Sequence, residues 1–181
     1  MCRDSVFSAN KMIHLYTGDG KGKTTAAVGL AIRHAGTGGH VVFVQFLKST
    51  ASGEITVLEN NPNITVLRNQ VKHGFSFSMT EEQKQVVTKE HNKNLSAALD
   101  LMAQQPVTML ILDELCAAYT LGLVDQDAVD KLITNPGKVE LVITGRDPTD
   151  NILQAADYIT EMKLVRHPYE KGVPARKGVE F

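Results

Sequence analysis

The stretch MIHLYTGDGKGKTTAAVGLAIRHAG, residues 12–36, decides the fold. It begins as a short apolar strand, Met12 to Tyr16, and ends as an alanine-rich helix, Lys23 to Gly36, stopped by glycine. Between them stands TGDGKGKTT, Thr17 to Thr25. Gly18, Gly20 and Gly22 accept positive φ without a Cβ penalty, so successive N–H groups can turn inward as an anion nest. The N-terminus of the following helix points at the same spot. Lys23 adds a full positive charge, Lys21 a second, and Thr24 offers a hydroxyl to Mg²⁺. The common phosphate-loop spacing GxxxxGK(S/T) wants glycine where Thr17 stands, five residues before Gly22; Gly18 leaves only three residues between the glycines. A phosphate cradle of tightened shape is expected.

Outward from this stretch, strands alternate with helices. His40 to Leu47 is a β-branched and aromatic strand, Ile55 to Asn60 a short helix, Ile64 to Leu67 a short strand, and Lys72 to Ser78 an extended loop. Thr80 and Gln83 match a capping box. The helix they open repeats Val87, His91, Leu95, Ala98 and Met102 at helical spacing and ends before Pro106. Val107 to Leu112 is continuously apolar, as in the buried middle of a parallel sheet. Helices near Leu115–Leu121 and Asp125–Thr134, a strand Val139–Thr144, a helix near Asn151–Ala156 and a last strand Tyr158–Val165 complete the pattern. The expected fold class is α/β, a mainly parallel β-sheet with helices on both faces.

A chain of 181 residues is long enough for one domain with a substantial core, expected over residues 1–181, with 1–11 a loose leader and 166–181 a polar tail. The net charge of −1 supplies no global field for nucleic acid or membrane surfaces. No apolar run is long enough to span a bilayer, and residues 1–11 lack the apolar core of a signal peptide. Two cysteines, Cys2 and Cys116, without metal-ligand spacing, fit a reducing cytoplasmic setting.

In a parallel sheet, ligands sit beyond the carboxyl ends of the strands. The glycine loop, Gln45 to Lys48, Asp113-Glu114 and Gly145-Arg146 all follow strands, so they should converge on one edge. Asp113 and Glu114 end an apolar strand where nucleotide enzymes place an acidic metal site; a helix-dipole pair is the plainer alternative. Arg146 suits a phosphate contact, against a solvated loop arginine. Phe75 and Phe77, two apart, face one side if extended, either into the core or as a lid over a planar ligand. Glu54, Lys48, His167, Tyr169, Lys171 and Arg176 are weaker polar candidates, and His14 and His91 read as structural.

Taken together, YTGDGKGKTTAAVGLAIR, VVFVQFLK, GFSF, LILDEL, VITGRDP and DYITEMKLVRHPYEKGVPARKGVEF resemble the ATP:corrinoid adenosyltransferases with a RecA-like P-loop NTPase fold. The resemblance runs from about Met12 to Phe181. It implies a reversed pose for ATP, whose ribose C5′ meets Co(I) of a corrinoid, cobalamin or cobinamide, with triphosphate as leaving group. It implies Gly18, Asp19, Gly20, Lys21, Gly22, Lys23, Thr24 and Thr25 around the phosphates. It implies Mg²⁺ or Mn²⁺ held by Thr24, Asp113 and Glu114, and catalytic roles for Lys23, Thr24, Glu114 and Arg146. Phe75 and Phe77 match the aromatic pair beneath the corrin that displaces its lower axial ligand; some members have Trp where Phe77 stands. Residues 1–11 are shorter than the basic N-terminal helix that closes over the corrinoid in some relatives. An electron donor such as a flavodoxin and a homodimer are implied partners; nucleic acid and membrane are not. The loop mechanics alone would also suit a RecA-like ATPase or switch module, a small-molecule kinase or a non-catalytic carrier.

Overall fold

Runs of Val, Ile, Leu and Phe bounded by glycine and polar loops become strands because both faces of the sheet are covered by helices. The structure, a computed structural model, describes residues 11–49, 52–68 and 79–180. Cys2, the extended loop Lys72 to Ser78, and with it Phe75 and Phe77, lie outside the described residues. The strands are β1 (Ile13–Thr17), β2 (His40–Gln45), β3 (Ile64–Arg68), β4 (Val107–Asp113), β5 (Glu140–Thr144) and β6 (Tyr158–Glu161). The helices are α1 (Lys23–Gly36), α2 (Gly53–Glu59), α3 (Glu81–Gln104), α4 (Leu115–Thr120), α5 (Gln126–Thr134) and α6 (Asp150–Ala155), followed by a 3₁₀ turn at Pro168–Lys171.

The sheet order is β3-β2-β4-β5-β1-β6, and every neighbouring pair is parallel. Successive side chains of a strand point to opposite faces, which divides the core in two. Val41, Phe43, Met109, Ile111 and Val142 pack with Ala27, Ala31 and Ala35 of α1 and with Ile55 and Leu58 of α2. Val42, Val44, Leu110, Leu112, Leu141 and Ile143 pack with Leu95 and Ala98 of α3, Val129 and Leu132 of α5, and Ile152 of α6. The α/β class with helices on both faces is therefore as the alternation implies. Small residues on α1 let it lie close over the sheet, which carries its N-terminal end to the sheet edge.

Helix starts obey their local chemistry. Thr80 accepts from the Gln83 N–H while the Gln83 side chain accepts from the Thr80 N–H, the full capping box. The Asp125 carboxylate accepts from the Ala128 N–H at the start of α5.

Two strands are shorter than the apolar pattern suggests, and both shortenings have a physical cause. The last strand stops at Glu161 rather than Val165, because its partner β1 ends at Thr17, opposite Glu161, and Gly18 leaves the sheet. β2 stops at Gln45 rather than Leu47. The Phe46 N–H still reaches the Asp113 carbonyl at 3.0 Å, but Leu47 takes φ of 57°, the left-handed region, and the ladder cannot continue.

Leu110, fully buried at the centre of the sheet, tests this core. Leu110→Ala should cost about 2–5 kcal/mol in urea unfolding, with an unchanged m-value.

Candidate functional site

β1 and β4 are not neighbours; β5 lies between them. That spacing opens a gap at the carboxyl edge, with the glycine loop on one side and the acidic pair on the other. A cleft of about 680 Å³ occupies the gap, lined by residues 19–25 of the loop, Lys48, Glu54, Glu114 and Arg146. Its volume is in the usual range for small-molecule sites.

The glycine loop is clamped to the strand beside it. The Gly20 N–H donates to the Met162 carbonyl at 2.6 Å, and the Met162 N–H donates to the Thr17 carbonyl at 2.7 Å. A Cβ on Gly20 would stand 2.5 Å from that same Met162 oxygen, so only glycine fits the approach. Gly22 takes φ of 121° as the N-cap of α1, which frees the first N–H groups of the helix to face the cleft. The Lys23 ammonium folds back into the bowl, donating to the carbonyls of Gly18 at 2.5 Å and Gly20 at 2.8 Å. Burial lowers the Lys23 pKa from its ordinary value; the nearby Arg146 charge lowers it further, and Glu114 and Asp19 oppose the shift.

Across the cleft, Asp113 is fully buried. Four donors from four segments hold its carboxylate. Thr24 Oγ1 and Thr144 Oγ1 donate to Oδ1 at 2.8 and 2.7 Å. Gln45 Nε2 and Lys48 Nζ each donate to Oδ2 at 3.1 Å. Glu114 follows with φ of 61°, its N–H donating to Thr144 Oγ1 at 2.9 Å and its side chain turned toward Lys48, 3.3 Å from Nζ. For Lys48 desolvation is the largest single influence and lowers its pKa, but the charges of Asp113 and Glu114 and their hydrogen bonds outweigh it and raise the value above the ordinary one.

Arg146 reaches from the β5–α6 turn to the Asp19 carbonyl at 3.2 Å, so it closes the rim of the cleft against the loop. Lys21 instead reaches the tail, donating to the Val179 carbonyl at 2.8 Å. Cys116, packed where a Cβ on Gly145 would collide with it, has its thiol pKa pushed up to about 12, by burial first and by the Glu114 charge second.

The structure thus brings together the sequence candidates Asp19, Gly20, Lys21, Gly22, Lys23, Thr24, Thr25, Glu114 and Arg146 in one cleft, and Gly18 and Asp113 are tied to it through their hydrogen bonds with Lys23 and Thr24. Of the weaker candidates, Lys48, Glu54 and His167 line it. Arg176 is paired with Glu180 at 3.1 Å. His14 bonds Glu140 at 2.6 Å and stacks on Tyr158. Gln45 lies at this edge as its stretch, Gln45 to Lys48, implies. Thr144, Ser52 and residues 178–180 were not singled out from the sequence; the signal for Thr144 was a polar side chain ending an otherwise apolar strand.

The oxygen-only set of one hydroxyl and two carboxylates suits a hard divalent cation. Thr24 Oγ1, Asp113 Oδ2 and Glu114 Oε1 already surround one positive charge, the Lys48 ammonium, at 2.9, 3.1 and 3.3 Å. The residues present therefore fit such an ion.

A tightened glycine loop leading into a helix, facing an acidic strand end one strand away, defines a P-loop nucleotide-binding protein of the α/β class. The comparisons with known proteins narrow this. A family model described as "ATP:corrinoid adenosyltransferase BtuR/CobO/CobP" matches residues 9–181. A corrinoid adenosyltransferase of Pseudomonas aeruginosa is 34% identical over 92% of this chain and 82% of its own length. The Salmonella typhimurium corrinoid adenosyltransferase CobA and an Escherichia coli K12 corrinoid adenosyltransferase are each 32% identical, over 94% of this chain and 85% of theirs. The chain belongs to the ATP:corrinoid adenosyltransferase family. Among the described residues, no helix is long and apolar enough to cross a membrane.

Thr144 Oγ1 donates to the Asp113 carboxylate and accepts from the Glu114 backbone N–H. Thr144→Val should destabilise the fold by about 1–3 kcal/mol, because a buried carboxylate and the Glu114 N–H both lose a partner. Urea unfolding against the parent chain measures it.

Proposed function

We propose that this chain transfers the 5′-deoxyadenosyl group of ATP to the Co(I) of a corrinoid and releases triphosphate. The observation that carries this reading is the one-sided gathering of positive charge. Lys21, Lys23, the amides of the glycine loop and the N-terminus of α1 all border the same bowl. Such a bowl stabilises charge that builds on a departing polyphosphate.

In this reading Gly18 to Thr25 cradle the phosphates and Arg146 closes over them from the rim. The cobalt lone pair attacks C5′, the C5′–oxygen bond breaks, and its electron pair leaves with the triphosphate. Cobalt passes formally from Co(I) to Co(III) as the cobalt–carbon bond forms. Thr24, Asp113 and Glu114 would hold Mg²⁺ or Mn²⁺, which when bound supplies charge neutralisation to the triphosphate. Lys23, released from its two carbonyls, meets the leaving group, while the protein orients C5′ and keeps water from it.

Phe75 and Phe77 are assigned to the corrin face, where they displace the lower axial ligand and ease reduction of Co(II). A flavodoxin-like donor, a homodimer and a cytoplasmic setting belong to the same proposal; they are supported by the family resemblance of the chain.

Incubation with ATP, Mg²⁺ and chemically reduced cobalamin should give adenosylcobalamin, followed by its visible spectrum, and intact triphosphate. Release of ADP and orthophosphate without a cobalt–carbon product would instead establish an ATPase. Lys23→Ala should lower kcat by roughly 10²–10³; near-normal turnover would remove the loop lysine from the site. Phe77→Ala should slow reactions started from Co(II) more than those given preformed Co(I), and equal losses would exclude Phe77 from the axial-ligand role.

A further inference from the structure

Lys48 comes from the loop after β2, and its ammonium sits at the middle of the acidic wall. Thr24 Oγ1, Asp113 Oδ2 and Glu114 Oε1 lie 2.9, 3.1 and 3.3 Å from Nζ. An ammonium has three N–H donors, and these three oxygens match that number. They are also the three groups assigned above to the divalent ion. Mg²⁺ takes its ligands at about 2.0–2.1 Å and is a doubly charged neighbour, so ammonium and metal cannot hold these oxygens together.

The backbone before Lys48 is anchored, while its side chain borders the open cleft. The Leu47 N–H at the left-handed kink donates to His91 Nε2 at 3.1 Å, and His91 Nδ1 donates to the Leu123 carbonyl at 2.7 Å. His91 is itself fully buried. Beyond this anchor the Lys48 side chain is 35% exposed and lines the cleft. A flexible four-carbon stem just after an anchored residue can swing from the acidic wall toward the bowl without moving the fold.

We propose that Lys48 is an exchangeable internal cation. It neutralises the acidic wall until the metal and triphosphate arrive, then yields the three oxygens to the metal and moves to the triphosphate. The inference rests on the triphosphate reading of the cleft. The protein thereby avoids an unpaired buried Asp113 at every stage, since one cation replaces another.

The test is metal binding without nucleotide, read by the free Mn²⁺ electron paramagnetic resonance signal, on the parent chain, Lys48→Met and Lys48→Gln. Gln keeps a donor for Asp113 without the charge. Both variants should bind Mn²⁺ at least about tenfold more tightly, because a competing unit charge is gone. Both should lose thermal stability in chelator and regain it with Mg²⁺, while the parent chain hardly responds to the metal. Superimposable Mn²⁺ titrations, together with a stability loss that Mg²⁺ does not repair, would overturn the proposal and leave Lys48 as a fixed ion pair. ATP affinity is measured in the same proteins. A parent chain that binds ATP while the Mn²⁺ curves coincide would sink the role of Lys48 alone; one that binds ATP neither with nor without Mg²⁺ would sink the triphosphate reading beneath it.

Discussion

The buried carboxylate of Asp113 is the point to which the rest of the site is tied. A fully buried charge is costly unless it is paired and hydrogen-bonded. Here the partners arrive from the first turn of α1, the last residue of β2, the loop after β2 and the last residue of β5. Because β5 lies between β1 and β4, and β2 lies on the other side of β4, the four partners reach Asp113 only if the strand order is correct. The electrostatic demand of one side chain thus secures the arrangement of a whole sheet edge. It also orients Thr24, whose hydroxyl donates to Asp113 and accepts from Lys48.

Each cation around the cleft has a protein oxygen as partner: Lys23 two loop carbonyls, Lys48 the carboxylates, Arg146 the Asp19 carbonyl and Lys21 the Val179 carbonyl. Three of the four bond neutral backbone carbonyls, which a charged polyphosphate can replace. Such an arrangement keeps the charges aimed into the cleft and limits the reorganisation that binding demands, which is how electrostatic preorganisation works.

Much of the fold could be read from the residues, because it rests on local signals. Continuous apolar runs marked β2, β4 and β5, the Thr80–Gln83 capping box marked α3, and Lys23–Gly36 forms α1 over the range its pattern implies. Strand–helix alternation placed the glycine loop, Asp113-Glu114 and Arg146 on one edge. The individual contacts were less legible. Lys48 was only one of several polar candidates, and its three contacts could not be read, since its position depends on a left-handed residue, Leu47, that is not glycine. Thr144 looked like a strand end, and the bonds that it and Gln45 make to Asp113 follow from which strands are neighbours, a property of the whole sheet. The tail read as a polar extension, yet residues 178–180 line the cleft beside the glycine loop.

The position of β1 has a consequence for how the molecule comes into being. β1 is the first strand of the sheet, but its two neighbours are β5 and β6, the last two strands. The glycine loop that follows it is clamped by Met162. During synthesis the segment for the loop therefore leaves the ribosome early and stays without its scaffold until nearly the whole chain has followed. Contacts of such long sequence separation are slow to form. The clamped shape of the loop is completed only near the end of the chain, and a chain interrupted before β6 carries the full glycine motif without the clamp that shapes it.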